Sequence, residues 1–437
     1  MLEKYFELNE NGTNLKTEIL AGITVFLAMA YIVIVNPVIL GQAGLPQSGV
    51  ATATILITVF SSVLMGVYAK NPIAVAPGMG LNAYFTFSVV KGLNVTPEVA
   101  LGTVFWSGVF FVILSVSNVR SKIVEAIPKQ LRYAVSCGIG LFIAVIGFVN
   151  AGFVVSSPAT LVTQGALNAK TITFMLGLFL TAFLLIKKIP GGTLLGIILT
   201  TVMAIPIGRF WGSEVVVSSF SEIVSLPDFS LFLKLEFIES LKFVYVPVIF
   251  SFLFTDMFDS LSTFMGVAEA GNLLDKDGNP RNLKKSLLAD AVSTLISGIL
   301  GSSSGTSYIE SAAGVNAGGR TGLVAVVAGL CFLPLLFFSP LLNLVPSLAT
   351  APILVLVGVF MMVPITKINW YSLDDAVPAF LAVILIPMTY SITNGIVWGM
   401  ISFLVLKVLS KKYHEVNIGL IGVCVLSVIA LYLGHFH

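Results

Sequence analysis

The sequence predicts an all-α polytopic membrane protein, with about 14 transmembrane segments arranged as two inverted repeats of seven. Its 437 residues are 57% hydrophobic and 10% charged, whereas soluble proteins carry about 25% charged residues. Most of the hydrophobic residues fall in runs long enough to cross a bilayer as helices. Each half of the chain also has one short run, interrupted by Gly or Pro, in third place. Together these observations favour a membrane-embedded repeat protein.

The apolar runs give the order of the elements. In the first half they lie near 18–40, 48–68, 73–90, 98–117, 132–150, 171–187 and 192–208. In the second half they lie near 245–268, 284–301, 305–317, 321–343, 348–364, 375–392 and 394–410. A last run, 417–434, is either an extra span or a helix on the membrane surface. The predicted units are an N-terminal cytoplasmic segment 1–17, a first repeat 18–208, an extracytoplasmic connector 209–244, a second repeat 245–410 and a C-terminal tail 411–437.

Basic residues predict the orientation of these spans. They gather between the runs at Lys70, Arg120, Lys122, Lys129, Arg132, Lys187, Lys188, Lys276, Arg281, Lys284, Lys285, Arg320, Lys367, Lys411 and Lys412. Counting from a cytoplasmic N-terminus places all of them on one side, as the positive-inside rule requires. We therefore expect a multi-pass protein of the cell's inner (plasma) membrane, embedded in the lipid bilayer.

Charge, cysteine and histidine content exclude several classes. A net charge of +2 by itself says nothing about nucleic acid, but the sequence has no basic patch of the kind that follows a phosphate backbone, so we expect no nucleic-acid partner. The three cysteines lie in apolar segments without paired spacing, which excludes a zinc site and a disulfide framework. The stretch GSSSG at 301–305 matches a hydrolase nucleophile pattern, but all three histidines lie beyond residue 413, so a Ser–His pair is not available. We expect no enzyme activity, no cofactor and no metal.

The two halves resemble each other in sequence. IPKQLRYAVSCGIGLFIAVIGF (127–148) aligns with VPSLATAPILVLVGVFMMVP (345–364), which brings Gly140 and Gly358 to matching places. An odd number of spans per half gives the two copies opposite orientations. Paired short, interrupted segments, here 73–90 and 302–317, indicate the binding site of a membrane transporter. The alternative is a pair of unrelated kinked helices.

Intramembrane acids are the candidate functional groups. Glu310 lies in SSSGTSYIESAAGVNAGG (302–319), and a carboxylate at membrane depth costs about 2.5–3.5 kcal/mol. Asp256 and Asp259 are three residues apart on one predicted helix, with Ser260 near the same face. Two like charges this close in a dry site do not both ionise easily, which suits a proton carrier. The alternative is that one of the pair is a structural acceptor.

The kind of group that these acids bind can be inferred from the absence of cationic side chains deep in the spans. Asp290 lies near a basic helix end, so we expect it to pair with Lys284 or Lys285 and not to join the site. Since the sequence places no lysine or arginine deep in a span, the site acids must meet a proton, a metal cation or donors on a ligand. A carboxylate matches the adjacent N–H donors of a purine. Tyr84, Phe85 and Tyr308 are candidates to stack on such a ring, or plain packing residues.

Two other functional classes fit parts of the pattern. An intramembrane aspartyl protease also needs two acids, but here they share one helix instead of facing each other from two. An anion or other small-solute transporter with the same inverted-repeat architecture is a closer alternative. Such a transporter needs positive charge or bare helix N-termini at its site, and Glu310 argues against that.

Five motifs resemble one known family. They are TVFLAMAYIVIVNP (24–37), APGMGLNAYF (76–85), FTDMFDS (254–260), TSYIESAAGVNAGGRTG (306–322) and SITNGI (391–396). These motifs identify the chain as similar to the nucleobase–cation symporter-2 (xanthine/uracil permease) family. Within that family, it resembles the branch of guanine, hypoxanthine and adenine permeases. The resemblance implies a core domain and a gate domain, short strands at the start of segments 3 and 10, and a homodimer.

The resemblance also implies roles for individual residues. Glu310 corresponds to the acid that hydrogen-bonds the base, Asp256 to the acid of the eighth span that binds substrate, and Asp259 to a second acid linked to proton coupling. The remaining substrate-binding candidates, some from the same motifs, are Asn82, Ala83, Tyr84, Ser260, Thr306 and Tyr308. Two departures are visible: LST at 261–263 replaces the usual Gly-Thr of the purine branch, and Ser260 stands where uracil and xanthine relatives tend to have histidine.

The predicted function is therefore secondary active import of purine nucleobases with proton symport. Guanine and hypoxanthine are the expected substrates, with adenine as a further candidate. The sequence leaves Na⁺ open as the coupling ion, and it does not rank the purines.

Overall fold

The long apolar runs form helices, which satisfy their own backbone groups inside a bilayer. The computed structural model describes residues 2–117, 128–210, 223–276, 278–342, 344–416, 419–422 and 424. The helices of the first half are α1 (Leu2–Tyr5), α2 (Leu15–Met29), α3 (Ile32–Gly41), α4 (Gln47–Leu64), α5 (Met79–Ala83), α6 (Pro97–Val116), α7 (Lys129–Asn150), α8 (Ala169–Ile186) and α9 (Gly192–Phe210). π-helical turns at Met65–Ala69 and Tyr84–Lys91 extend α4 and α5.

The second half repeats this order after an irregular connector. Its helices are α10 (Val246–Gly271), α11 (Leu283–Leu300), α12 (Ser311–Asn316), α13 (Leu323–Leu330), α14 (Ser339–Leu342), α15 (Ser347–Met361), α16 (Leu373–Thr389) and α17 (Ile392–Leu409). Within the described residues, eight helices are long and apolar enough to cross a membrane, and two shorter apolar helices accompany them. The other four predicted spans are α11, α16 and the two segments that each combine a strand with a helix, 73–90 and 305–317. The structure thus confirms a polytopic helical fold in which segments 3 and 10 begin as strands.

In the described part of the chain, four short strands form two separate pairs. β1 (Val75–Pro77) and β4 (Gly305–Ser307) pair antiparallel, with Ala76 opposite Thr306. β2 (Val154–Ser157) and β3 (Leu161–Gln164) form a hairpin between α7 and α8. The first pair lies in the predicted interrupted segments and joins the two halves, whereas the hairpin has no counterpart among the predicted elements.

Short turns break two spans that the sequence presents as continuous. The first run divides into α2 and α3 at Ala30–Tyr31, and Pro37 lies further along the chain, inside α3. The eleventh run divides into α13, a 3₁₀ turn at Leu333–Phe337, and α14. Neither break changes the order of the segments.

Glycines set the closest helix crossings. α7 crosses α15 at Gly140 and Gly358, so the two positions that match between the repeats meet in space. A Cβ atom at Gly358 would lie 2.5 Å from the carbonyl oxygen of Gly140, and one at Gly140 would lie 2.8 Å from that of Gly358. Real Cβ contacts are never this short, so the crossing requires glycine on both helices.

Some sequence predictions lie outside the described residues. These are the basic residues Arg120 and Lys122, positions 211–222 of the predicted connector, and nearly all of the apolar run 417–434. The described part of the connector, from residue 223, packs against the first repeat: the backbone N–H of Asp228 donates to Thr52 Oγ1 at 3.0 Å, and that of Glu236 to the carbonyl of Glu98 at 3.0 Å.

Candidate substrate site

The site is built on the crossing of β1 and β4, where backbone runs irregularly through the membrane-embedded part of the protein. Two equivalent bonds extend the pairing at its ends: the N–H of Gly78 donates to the carbonyl of Ser304, and the N–H of Tyr308 donates to that of Ala74, both at 3.0 Å. On the unpaired edge of β1, a serine accepts a backbone hydrogen bond: the N–H of Val75 donates to Ser62 Oγ at 2.9 Å. Irregular backbone at this depth persists only where its polar groups are paired or face a cavity.

Glu310 immediately precedes α12 and is half-buried. The hydroxyl of Tyr31, at the break between α2 and α3, donates to its Oε1 atom at 2.6 Å. No described side chain donates to Oε2. One oxygen of Glu310 is thus held by the protein and the other is available as an acceptor.

Asp256 and Asn82 approach the crossing from α10 and α5. Both are fully buried. Thr294 donates a hydrogen bond to Asp256 Oδ2, and Ser303 donates one to Asn82 Oδ1. Among the described residues, Asp256 Oδ1 and Asn82 Nδ2 have no hydrogen-bond partner. These two atoms are a buried acceptor and a buried donor whose hydrogen-bonding capacity the described residues leave unused.

Asp290 is part of this network, which corrects the expectation that it pairs with Lys284 or Lys285. It is fully buried and accepts from Ser260 Oγ at 2.5 Å and from Ser307 Oγ at 2.8 Å. Ser260 also hydrogen-bonds Thr306 at 2.8 Å, so α10, α11 and β4 are joined by side chains. The sequence signal for this role was the polar stripe Ser286–Asp290–Ser293–Ser297 at helical spacing on α11.

The other predicted residues surround the crossing in different ways. Asp259 is half-buried, and no described side chain donates to it. The Tyr308 hydroxyl donates to the carbonyl of Pro77 at 2.6 Å. Tyr84 is buried with its ring 4.8 Å from that of Phe252, edge to face, and its hydroxyl 2.9 Å from Thr393 Oγ1. Ala83 is buried at the end of α5.

A buried lysine lies in the last turn of α17, at the end of the span and not deep within it. Lys407 of α17 is 1% exposed, yet its partners are Asp374, Asp375 and Glu415. The site acids therefore have no cationic partner among the described residues. Those residues also contain no group of three or more His, Cys, Asp or Glu side chains that could hold a metal.

Solved structures share this fold. The transmembrane domain of the bicarbonate transporter BicA from a cyanobacterium has a TM-score of 0.65 at 14% identity, and the match covers 88% of this chain and 97% of that one. SLC26A9 has a TM-score of 0.63 at 10% identity, with 91% and 66% covered. At these identities the likeness establishes the inverted-repeat fold and carries no statement about substrate.

Sequence comparisons identify the family. "Putative permease MJ0326" of Methanocaldococcus jannaschii is 44% identical, over 95% of this chain and 94% of that protein. "Adenine permease AdeP" of Escherichia coli is 39% identical over 99% and 96%, and "Guanine/hypoxanthine permease PbuO" of Bacillus subtilis is 39% identical over 98% and 100%. Residues 16–398 match the family model Xan_ur_permease, described as "Permease family". The chain therefore belongs to this permease family, a family of membrane transporters, as its motifs predicted.

Proposed function

We propose that this protein transports purine nucleobases, which it binds at the crossing of β1 and β4. The observation that carries the proposal is Glu310 at this crossing, with one oxygen held by Tyr31 and the other available. A carboxylate oxygen accepts an N–H of a purine edge in a charge-assisted hydrogen bond. Relatives named as adenine and guanine/hypoxanthine permeases, similar over nearly the whole chain, support this substrate class.

The crossing also offers groups of the opposite character. Asn82 Nδ2 can donate to a ring nitrogen or a carbonyl oxygen of the base, and Asp256 Oδ1 can accept a second N–H. Donors and acceptors placed together favour a flat heterocycle over a simple anion. The anion-transporter alternative is not favoured, because its support is a likeness of fold at 10–14% identity.

Accumulation against a gradient requires a coupling ion, for which we propose a proton. Asp259 and Asp256 are the proposed carriers, and Asp259 is the more exposed of the two. One charge moved across 100 mV supplies about 2.3 kcal/mol. The proton and the purine would bind together from one side, and relative movement of a core domain and a gate domain would release both on the other. We also propose a homodimer in the inner (plasma) membrane with a cytoplasmic N-terminus.

The test is uptake of radiolabelled guanine, hypoxanthine and adenine by cells that lack their own purine permeases. Wild-type protein should accumulate at least one of them. Glu310→Gln keeps the size of the side chain but turns half of the carboxylate into a donor, so uptake should fall to background while the protein remains in the membrane. Glu269→Gln, an exposed position near the end of α10, is the matched control and should transport normally.

Two outcomes contradict this proposal. Normal uptake by Glu310→Gln would refute the site, and absence of uptake of every purine by wild type would refute the substrate class. Repeating the assay with a protonophore and in Na⁺-free buffer tests the coupling ion. Loss of accumulation only in the absence of Na⁺ would replace the proton with sodium.

A further inference from the structure

We infer that Tyr31 is a positioning residue for substrate binding, which acts by holding Glu310 so that Oε2 faces the ligand. This inference rests on the proposed function and adds a residue from outside α5, α10 and β4 to the site. Its basis is the 2.6 Å hydrogen bond from the Tyr31 hydroxyl to Glu310 Oε1. The two residues are 279 positions apart in the chain, so the bond is entirely a product of the fold.

The break in the first span places the phenol. Between α2 and α3 the backbone takes 3₁₀-type bonds, from Val33 N–H to Ala30 O at 3.3 Å and from Ile34 N–H to Tyr31 O at 3.1 Å. The tighter turn places Tyr31, which is 1% exposed, where its hydroxyl reaches the start of α12.

Close packing of α2 against α12 keeps the donor and the acceptor in register. A Cβ atom at Gly314 would lie 2.4 Å from Val25 Cγ2 and 2.9 Å from the carbonyl oxygen of Ala21. Glycine at this position thus allows the two helices to touch. The Tyr31–Glu310 bond lies at one end of this contact, so the glutamate is oriented by a fixed neighbour.

Orientation matters because a glutamate side chain has three rotatable bonds. A free Glu310 would lose this freedom on binding, which weakens affinity, whereas a group fixed in advance does not incur that cost. The Tyr31 hydroxyl is a donor that accepts no bond from a described residue. It therefore leaves Glu310 as an acceptor of N–H groups, which favours ligands that present a donor at this point.

The test is the kinetics of Tyr31→Phe, which removes one hydroxyl and keeps the ring. A long side chain that becomes ordered only when the ligand binds costs up to roughly tenfold in the binding constant. We expect the KM for the transported purine to rise about tenfold, with the maximal rate per molecule in the membrane within about twofold of wild type. The matched control is Tyr133→Phe: Tyr133 is half-buried on α7, beneath Lys367, and no described residue hydrogen-bonds its hydroxyl.

Each other outcome overturns the inference. An unchanged KM means that the bond does not orient Glu310, and a lower KM means that Tyr31 competes with the ligand. A structural role for Tyr31 would follow from any of three results. These are a maximal rate that falls more than about twofold, a melting temperature lower by more than about 5 °C, and failure to reach the membrane. If wild-type protein transports no purine, the proposed function itself is refuted. Saturable wild-type uptake with an unaltered Tyr31→Phe refutes only the role of Tyr31.

Discussion

A buried ion cluster, remote from the site, allows a stability prediction that the structure makes quantitative. The Nζ atom of Lys407 lies 2.7 Å from Asp374 Oδ2, 2.8 Å from Asp375 Oδ1 and 2.7 Å from Glu415 Oε2. Lys412 shares Asp374 at 2.7 Å. The cluster connects the start of α16, the end of α17 and the segment that follows. Lys407→Met would leave its acids close together with one remaining cation.

The size of the effect follows from burial. A contact at this distance is worth about 6 kcal/mol of Coulomb attraction at an effective dielectric constant of about 20, much of which offsets desolvation. Removing one partner of a buried pair costs about 3–5 kcal/mol. The two aspartate side chains are 10% and 13% exposed, whereas that of Glu415 is 37% exposed, so the pair with Glu415 contributes less to the stability of the cluster. We expect a loss of about 3 kcal/mol in the free energy of unfolding, or roughly 5 °C in melting temperature.

The assay is thermal unfolding of purified protein in detergent at one fixed scan rate, since the unfolding of such proteins is often irreversible. Lys242→Met, which breaks the exposed pair with Glu239, is the control and should not change the melting temperature measurably. Adding Asp375→Asn to Lys407→Met should restore part of the loss, because it relieves repulsion between the acids. Equal melting of Lys407→Met and wild type would refute the reasoning.

Two further predictions concern packing and pH. Gly358→Ala should destabilise the protein by about 1–3 kcal/mol, because its Cβ meets backbone 2.5 Å away; the control Gly266→Ala, which meets only the mobile end of Ile309, should melt like wild type. In the connector, the pKa of Asp228 is lowered, mainly by the hydrogen bond from Ser48. The ionised Asp228 side chain therefore stabilises the folded protein fully above the unfolded pKa of about 3.9, and this stabilisation is lost as the pH falls through the lower folded pKa. Melting temperatures of wild type and Asp228→Asn should differ at pH 7 and converge in acid; a constant gap contradicts this.

Much of the fold could be predicted from the sequence, because hydrophobic length and basic residues between spans are strong signals. The sequence aligned Gly140 and Gly358 at matching places of the two repeats, but it did not show that they touch each other. The hairpin of β2 and β3 escaped prediction because its alternation is weak. The break at Tyr31 was missed because Ala30, Tyr31 and Ile32 continue the apolar run without a Gly or Pro.

The candidate site was predicted less completely, for a physical reason. Residues within one segment, such as Asp256 and Asp259, reveal their shared face through helical spacing. Asp290 was misjudged because the lysines nearby in sequence point elsewhere, while its partners Ser260 and Ser307 come from other segments. Hydrogen bonds between distant segments depend on packing, which a single sequence does not specify.

The acids around the crossing can be separated by asking which of their oxygens the protein already uses. Both oxygens of Asp290 accept from serines, so it suits the frame that holds β4. Asp256 has one oxygen occupied and is fully buried. Asp259 is half-buried and receives no bond from a described side chain. A proton carrier must exchange with water on each side of the membrane, whereas a ligand anchor needs a fixed direction. Within the proposed mechanism, therefore, Asp259 is better suited to carry the proton than Asp256, and Glu310, fixed by Tyr31, is better suited to anchor the purine.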